Sequence, residues 1–138
     1  MNTAPQPAAL PKDHKYQTYP VEIAGLTGTG GPREFEFSFQ TFQPYKNVIG
    51  ILVSSENIEE GLKMWLGGVY ADSLEIFPVD FSLQALVCNW HVAFYDKFYR
   101  LKNALAGGRF FKGKLVHPNR SGSVAPFRIT IHLLLAND

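Results

Sequence analysis

Phenylalanine alternates with polar residues through Arg33–Thr41. Phe35, Phe37 and Phe39 fall on one side, and Glu34, Glu36, Ser38 and Gln40 on the other. The pattern returns near the C-terminus, where Phe127, Ile129, Ile131, Leu133 and Leu135 oppose Arg128, Thr130 and His132. Successive side chains of a strand point to opposite faces, so a period of two describes strands with one face in a core. Two such strands so far apart in the chain imply a sheet-on-sheet core closed by long-range pairing. The expected class is therefore all-β, an antiparallel β-sandwich. Its predicted core is Phe35, Phe37, Phe39, Ile49, Ile51, Leu83, Phe127, Ile129, Ile131 and Leu133.

A chain of 138 residues, 46% of them hydrophobic, forms one domain able to bury such a core without disulfides. The single cysteine, Cys88, lies in the apolar run Leu83–Cys88 and is expected to be an inert buried thiol. Met1–Pro11 has no apolar stretch of signal length, and no segment reaches about 18 apolar residues. The expectation is a soluble chain made in the cytoplasm, with no membrane span. Asn119-Arg120-Ser121 has the form of a glycosylation sequon, a triplet common by chance.

Residues 1–15 carry Pro5, Pro7 and Pro11 and read as an extended arm before a sandwich domain at 16–138. Tyr16–Leu26 reads as a strand. Thr27–Pro32 is Gly-rich, but a strand follows it rather than the helix a phosphate loop needs, so it reads as a flexible turn. Val48–Val53 suits a strand buried on both sides. Through Ser54–Leu66 a loop to Glu60 and a strand from Leu62 fit better than a helix capped by Ser54, Ser55 or Asn57, because Gly61 interrupts the helical spacing. Gly67-Gly68 then reads as a turn. Pro78 places Leu74–Val87 at a sheet edge, bulge or corner. Cys88–Tyr95 reads as extended, and Lys97–Ala106 as a short helix or a further strand. Gly107-Gly108 turns into a strand at Phe110–Val116, and His117–Gly122 is a turn cluster.

Charge is divided along the chain. Residues 1–96 hold 5 Lys and Arg against 11 Asp and Glu, and residues 97–138 hold 8 against 1. Either the strands interleave so that the signs meet within one subunit, or a basic face built from Arg100, Arg109, Lys112 and Lys114 meets the acidic face of another copy (or nucleic acid or an anionic membrane). Head-to-tail contacts of that second kind close into rings and weaken as salt shortens the Debye length.

Few residues suggest chemistry. His14, His91, His117 and His132 show no metal-ligand spacing, and one cysteine builds no zinc cluster. Glu59-Glu60 and Glu34/Glu36 read as solvated faces, and His132 as a surface or packed structural residue. No catalytic residue, metal ligand or cofactor is expected. Trp65 and Trp90 could line a carbohydrate site. Aromatics interleaved with cations at Lys97–Arg100 and Arg109–Lys112 are the pattern of single-strand nucleic-acid binders, but the core needs the same phenylalanines.

The order Val48–Val53, Ser54–Asn57, Leu62–Leu66, Leu74–Val87 and Pro126–Leu135 resembles the single jelly-roll proteins of virions. The likeness is to the penton, or vertex, proteins of tailless membrane-containing bacteriophages, and it covers roughly two-thirds of the chain as pattern, without a diagnostic motif. Two features depart from it, a longer and more basic Asp96–Gly108 and the Pro-rich arm. The resemblance implies a single jelly roll with an N-terminal arm. In function it implies a non-enzymatic structural protein of a virion (vertex, decoration or spike base), made in the host cytoplasm and joined to copies of itself in a homo-oligomer and to other shell proteins. A β-sandwich binding a carbohydrate, another ligand or nucleic acid is the alternative.

Overall fold

The computed structural model describes residues 14–72, 74–86, 99–105, 108–120 and 122–137, with backbone alone at 102–105. Most of the expected arm, Cys88, Trp90, His91 and Lys97 lie outside the described residues. The described residues form eight strands: β1 (His14–Ile23), β2 (Arg33–Gln40), β3 (Asn47–Ser55), β4 (Trp65–Ala71), β5 (Leu74–Ser82), β6 (Tyr99–Leu105), β7 (Phe110–His117) and β8 (Phe127–Ala136). They form two four-stranded antiparallel sheets, one ordered β1-β8-β3-β6 and the other β2-β7-β4-β5. Among these strands only β4 and β5 are successive and paired with each other; the other successive strands lie in opposite sheets. Lys97–Ala106, open between helix and strand in the sequence, contributes β6.

The two alternating segments lie in different sheets and contribute to one core, β2 from one sheet and β8 from the other. Phe37, Phe39, Phe127, Ile129, Ile131 and Leu133 are buried, as are Ile51 and Leu83, while Phe35 is half-buried against the same cluster. Tyr19 on β1 stacks on Phe39 with ring centroids 4.6 Å apart, joining the sheets along one side. On the other side Tyr99 on β6 meets Phe77 and Phe81 on β5 at 5.7 and 5.9 Å.

Ile49 is the exception among the predicted core residues. A bulge between Val48 and Gly50 leaves it without a partner on either neighbouring strand, and it is only half-buried. The extra residue shifts the phase, so Val48 before it and Ile51 and Val53 after it all face inward.

Two further readings are corrected. Ile58–Leu62 is a short helix, α1, and the next strand begins at Trp65 rather than Leu62. The Asn57 side chain caps α1 by accepting from the Glu60 N–H at 3.2 Å. Gly61, which interrupts the helical pattern, is what lets α1 lie on β3, since a Cβ there would sit 2.6 Å from that of Ser55. Gly67-Gly68 is no turn but a bulge inside β4, with Gly68 at φ +96°. Opposite it, a Cβ on Gly113 would lie 2.6 Å from the Gly68 carbonyl oxygen and 3.0 Å from the Phe37 ring. Pro78 sits, as expected, on an edge strand.

Phe37→Ala is expected to cost about 3–5 kcal/mol in urea unfolding. Gly113→Ala should cost about 1–3 kcal/mol, because the bulge leaves its methyl no room. Near-neutral values for both would contradict this packing.

Candidate functional site

The charge blocks meet within the subunit. β7 and β8, from the basic third, pair with strands of the acidic part, so Arg128 Nε reaches Glu22 Oε1 at 2.7 Å, directly across the β1–β8 ladder. This hydrogen bond raises the Arg128 pKa further. Lys114 Nζ lies 3.4 Å from Glu34 Oε1, and Arg109 Nη1 lies 3.0 Å from Asp72 Oδ2.

The four residues expected to make a basic face are divided. Arg100 is on β6, the edge of the first sheet, while Arg109 precedes β7 at one end of the second. Lys112 and Lys114 border a hollow of about 460 Å³ on the second sheet, with Glu36, Ser38 and Tyr70 around a floor of Gly67, Gly68 and Gly113. That floor is glycine because the bulge requires it.

The ends of the second sheet differ. At one, the end of β2, the start of β7 and the turn between β4 and β5 converge: Gln40 pairs with Phe110, and the Asp72 N–H donates to the Phe110 carbonyl at 2.8 Å. This end exposes Phe42, Leu74 and Phe110 at 41, 48 and 50% around the Arg109–Asp72 pair.

The other end is organised by a buried network. His117, the last residue of β7, is 1% exposed, and its Nε2 lies 2.8 Å from Glu60 Oε1. The Asn119 N–H donates to His117 Nδ1 at 2.9 Å. An accepting Nδ1 leaves the proton of the neutral ring on Nε2, so His117 donates to Glu60. Lys63 Nζ donates to the second Glu60 oxygen at 2.8 Å. Glu60 therefore stays below the usual carboxylate range, held there chiefly by the Lys63 hydrogen bond against the opposing effect of burial. The reading of Glu60 as a solvated residue is corrected: its partner lies 57 positions away, beyond any local pattern.

Asn119, with φ 56°, extends the network to the Gly-rich turn. Its Oδ1 accepts from the Gly28 N–H at 2.8 Å, and its Nδ2 donates to the carbonyls of Thr29 and Gly31 at 2.5 and 3.1 Å. The turn is pinned rather than loose, and the sequon asparagine is buried. With both ring nitrogens engaged, His117 serves as a lock joining α1, β7 and that turn.

In front of the lock opens a cleft of about 750 Å³ lined by Leu62, Lys63, Met64, Trp65, Asp80, Ser82, Gln84, Pro118 and Arg120. Trp65 was legible as a candidate; Asp80 and Arg120 carried no local signal. No group of three or more His, Cys, Asp or Glu placed to hold a metal occurs among the described residues, and no helix among them is long and apolar enough to cross a membrane.

Stability should fall in acid in two stages. Burial lowers the His132 pKa from 6.5, so its contribution is complete above about 6.5 and is lost as pH falls toward the folded value. Glu60, lowered from 4.5, loses its contribution from about 4.5 downward. Urea midpoints measured across this range should lose the upper stage in His132→Gln and the lower one in Glu60→Gln. At neutral pH Glu60→Leu should cost about 1–3 kcal/mol by leaving the His117 Nε2–H without an acceptor.

Comparison with protein-family models, with curated proteins and with solved structures returns no match.

Proposed function

We propose that this protein is a single jelly roll acting as a non-enzymatic structural subunit of a virion, working by self-assembly. The observation that carries the reading is the strand order. Eight antiparallel strands divide into β1-β8-β3-β6 and β2-β7-β4-β5, with nearly all connections passing between the sheets. A jelly roll is a double sheet of eight strands built from two Greek keys, and capsid domains are among its known uses. The step from architecture to role is one of analogy.

The sheet end bearing Phe42, Leu74 and Phe110 supports contact between copies, since exposed apolar groups gathered at one place mark association surfaces. Arg109, one of the expected interface residues, stands within it. This favours an apolar contact with a charged centre over the attraction of charge blocks, because Arg109, Lys114 and Arg128 already have acidic partners in their own subunit.

Light scattering coupled to size-exclusion chromatography tests this over a range of protein concentrations and at low and high salt. The expected result is concentration-dependent oligomers that persist at high salt and weaken about tenfold or more in Phe110→Ser. A monomer under all conditions would overturn the proposal. Oligomers dispersed by salt and untouched by Phe110→Ser would return the contact to the charge blocks.

A further inference from the structure

We infer that the Trp65 cleft is a saccharide-binding site, selective for sugars that carry a carboxylate. The cleft stands at the opposite end of the second sheet from Phe42, Leu74 and Phe110, so binding there and self-association there fail or succeed separately. Its volume of about 750 Å³ falls within the range of small-molecule sites. Four separate parts of the chain bring its walls together: the C-cap of α1 (Lys63), the start of β4 (Trp65), the end of β5 with the following 3-10 turn (Asp80, Gln84), and the turn after β7 (Arg120).

The chemistry of those walls is that of a sugar site. Trp65 is half-buried and lines the cleft, offering an aromatic surface to the C–H face of a pyranose. Asp80 supplies a carboxylate that accepts from neighbouring hydroxyls, and Gln84 supplies both an acceptor and a donor. Both are exposed. Lys63 is already paired with Glu60, so Arg120 is the cation on the rim that offers an acidic ligand a partner. Arg120 presents the planar fork that pairs with a carboxylate.

Backbone geometry favours a ligand over an incidental hollow. Asp80 is the extra residue of a bulge, for Leu66 pairs with Phe81 and Gly67 with Val79, and it is held at φ 69°. Bulges re-aim side chains, and left-handed non-glycine residues gather at functional sites. The buried hydrogen bonds of His117 and Asn119 fix the turn that carries Arg120. A cleft with a cation beside an aromatic ring also suits nucleic acid, whereas the hydroxyl-accepting Asp80 and the amide of Gln84 favour a sugar bearing few charges over a chain of phosphates.

Isothermal titration of the full chain with an oligogalacturonate, a neutral galacto-oligosaccharide of equal length and a single-stranded oligodeoxynucleotide tests the inference. The oligogalacturonate should bind saturably and about tenfold more tightly than the neutral sugar. Trp65→Ala should abolish binding of both sugars. Arg120→Gln lies on an exposed position and should leave the fold intact, while erasing the preference for the acidic sugar. Asp80→Asn should weaken the neutral sugar more than the acidic one, which is relieved of repulsion between carboxylates. Absence of saturable binding to either sugar would overturn the inference. So would binding that survives Trp65→Ala, an acidic preference that survives Arg120→Gln, or tighter binding of the oligonucleotide than of the oligogalacturonate.

Discussion

The last two strands of the chain occupy the interior of the two sheets. β8 lies between β1 and β3, and β7 between β2 and β4. Backbone N–H and C=O groups in a sheet interior must be paired on both sides, and here the pairing waits for the C-terminal part of the chain. Among the described residues β1 pairs in its sheet with β8 alone, and β2 with β7 alone. The meeting of the charge blocks follows from this, since β7 and β8 carry the basic residues to the strands of the acidic part. Such pairing carries a large loop-closure cost before it is rewarded, which places the chain among slow-folding topologies.

The same constraint explains how a polar network comes to be buried at one end of the second sheet. β7 delivers His117 beside α1, and the turn after it delivers Asn119 beside the Gly-rich turn. Neither polar side chain is stranded, because each finds its complement in an element remote in sequence. Low local dielectric strengthens a fully satisfied network and penalises a partial one, so this end of the sandwich is held in one arrangement. The opposite end has an exposed ion pair and apolar side chains instead.

Strands with alternation were legible in the sequence because the period of two runs through β2 and through β8 as far as Leu133, beyond which Leu134, Leu135 and Ala136 are all buried. What local pattern hid were the bulges. Ile49 lost its inward position to one extra residue in β3, and Gly67-Gly68 carried the composition of a turn while lying inside β4. α1 was obscured because Gly61, unfavourable to a helix alone, is required by the contact with Ser55. The network of Glu60 and the cleft around Trp65 depend on residues that only the sheet pairing brings together. Nothing near Glu60 announces His117, and nothing near Trp65 announces Arg120.

Both sheets also end in strands that resist extension. Among the described residues Pro20 lies on β1 and Pro78 on β5, each an edge strand from which proline removes a donor, and β5 carries irregularities at Ile76 and Asp80 as well. A further strand laid along either edge would meet a broken row of hydrogen-bonding groups and a twisted backbone. Growth by strand addition, the route to cross-β fibrils, is thereby blocked on one side of each sheet. A protein crowded at high local concentration can then gather many copies while its sheets stay finite.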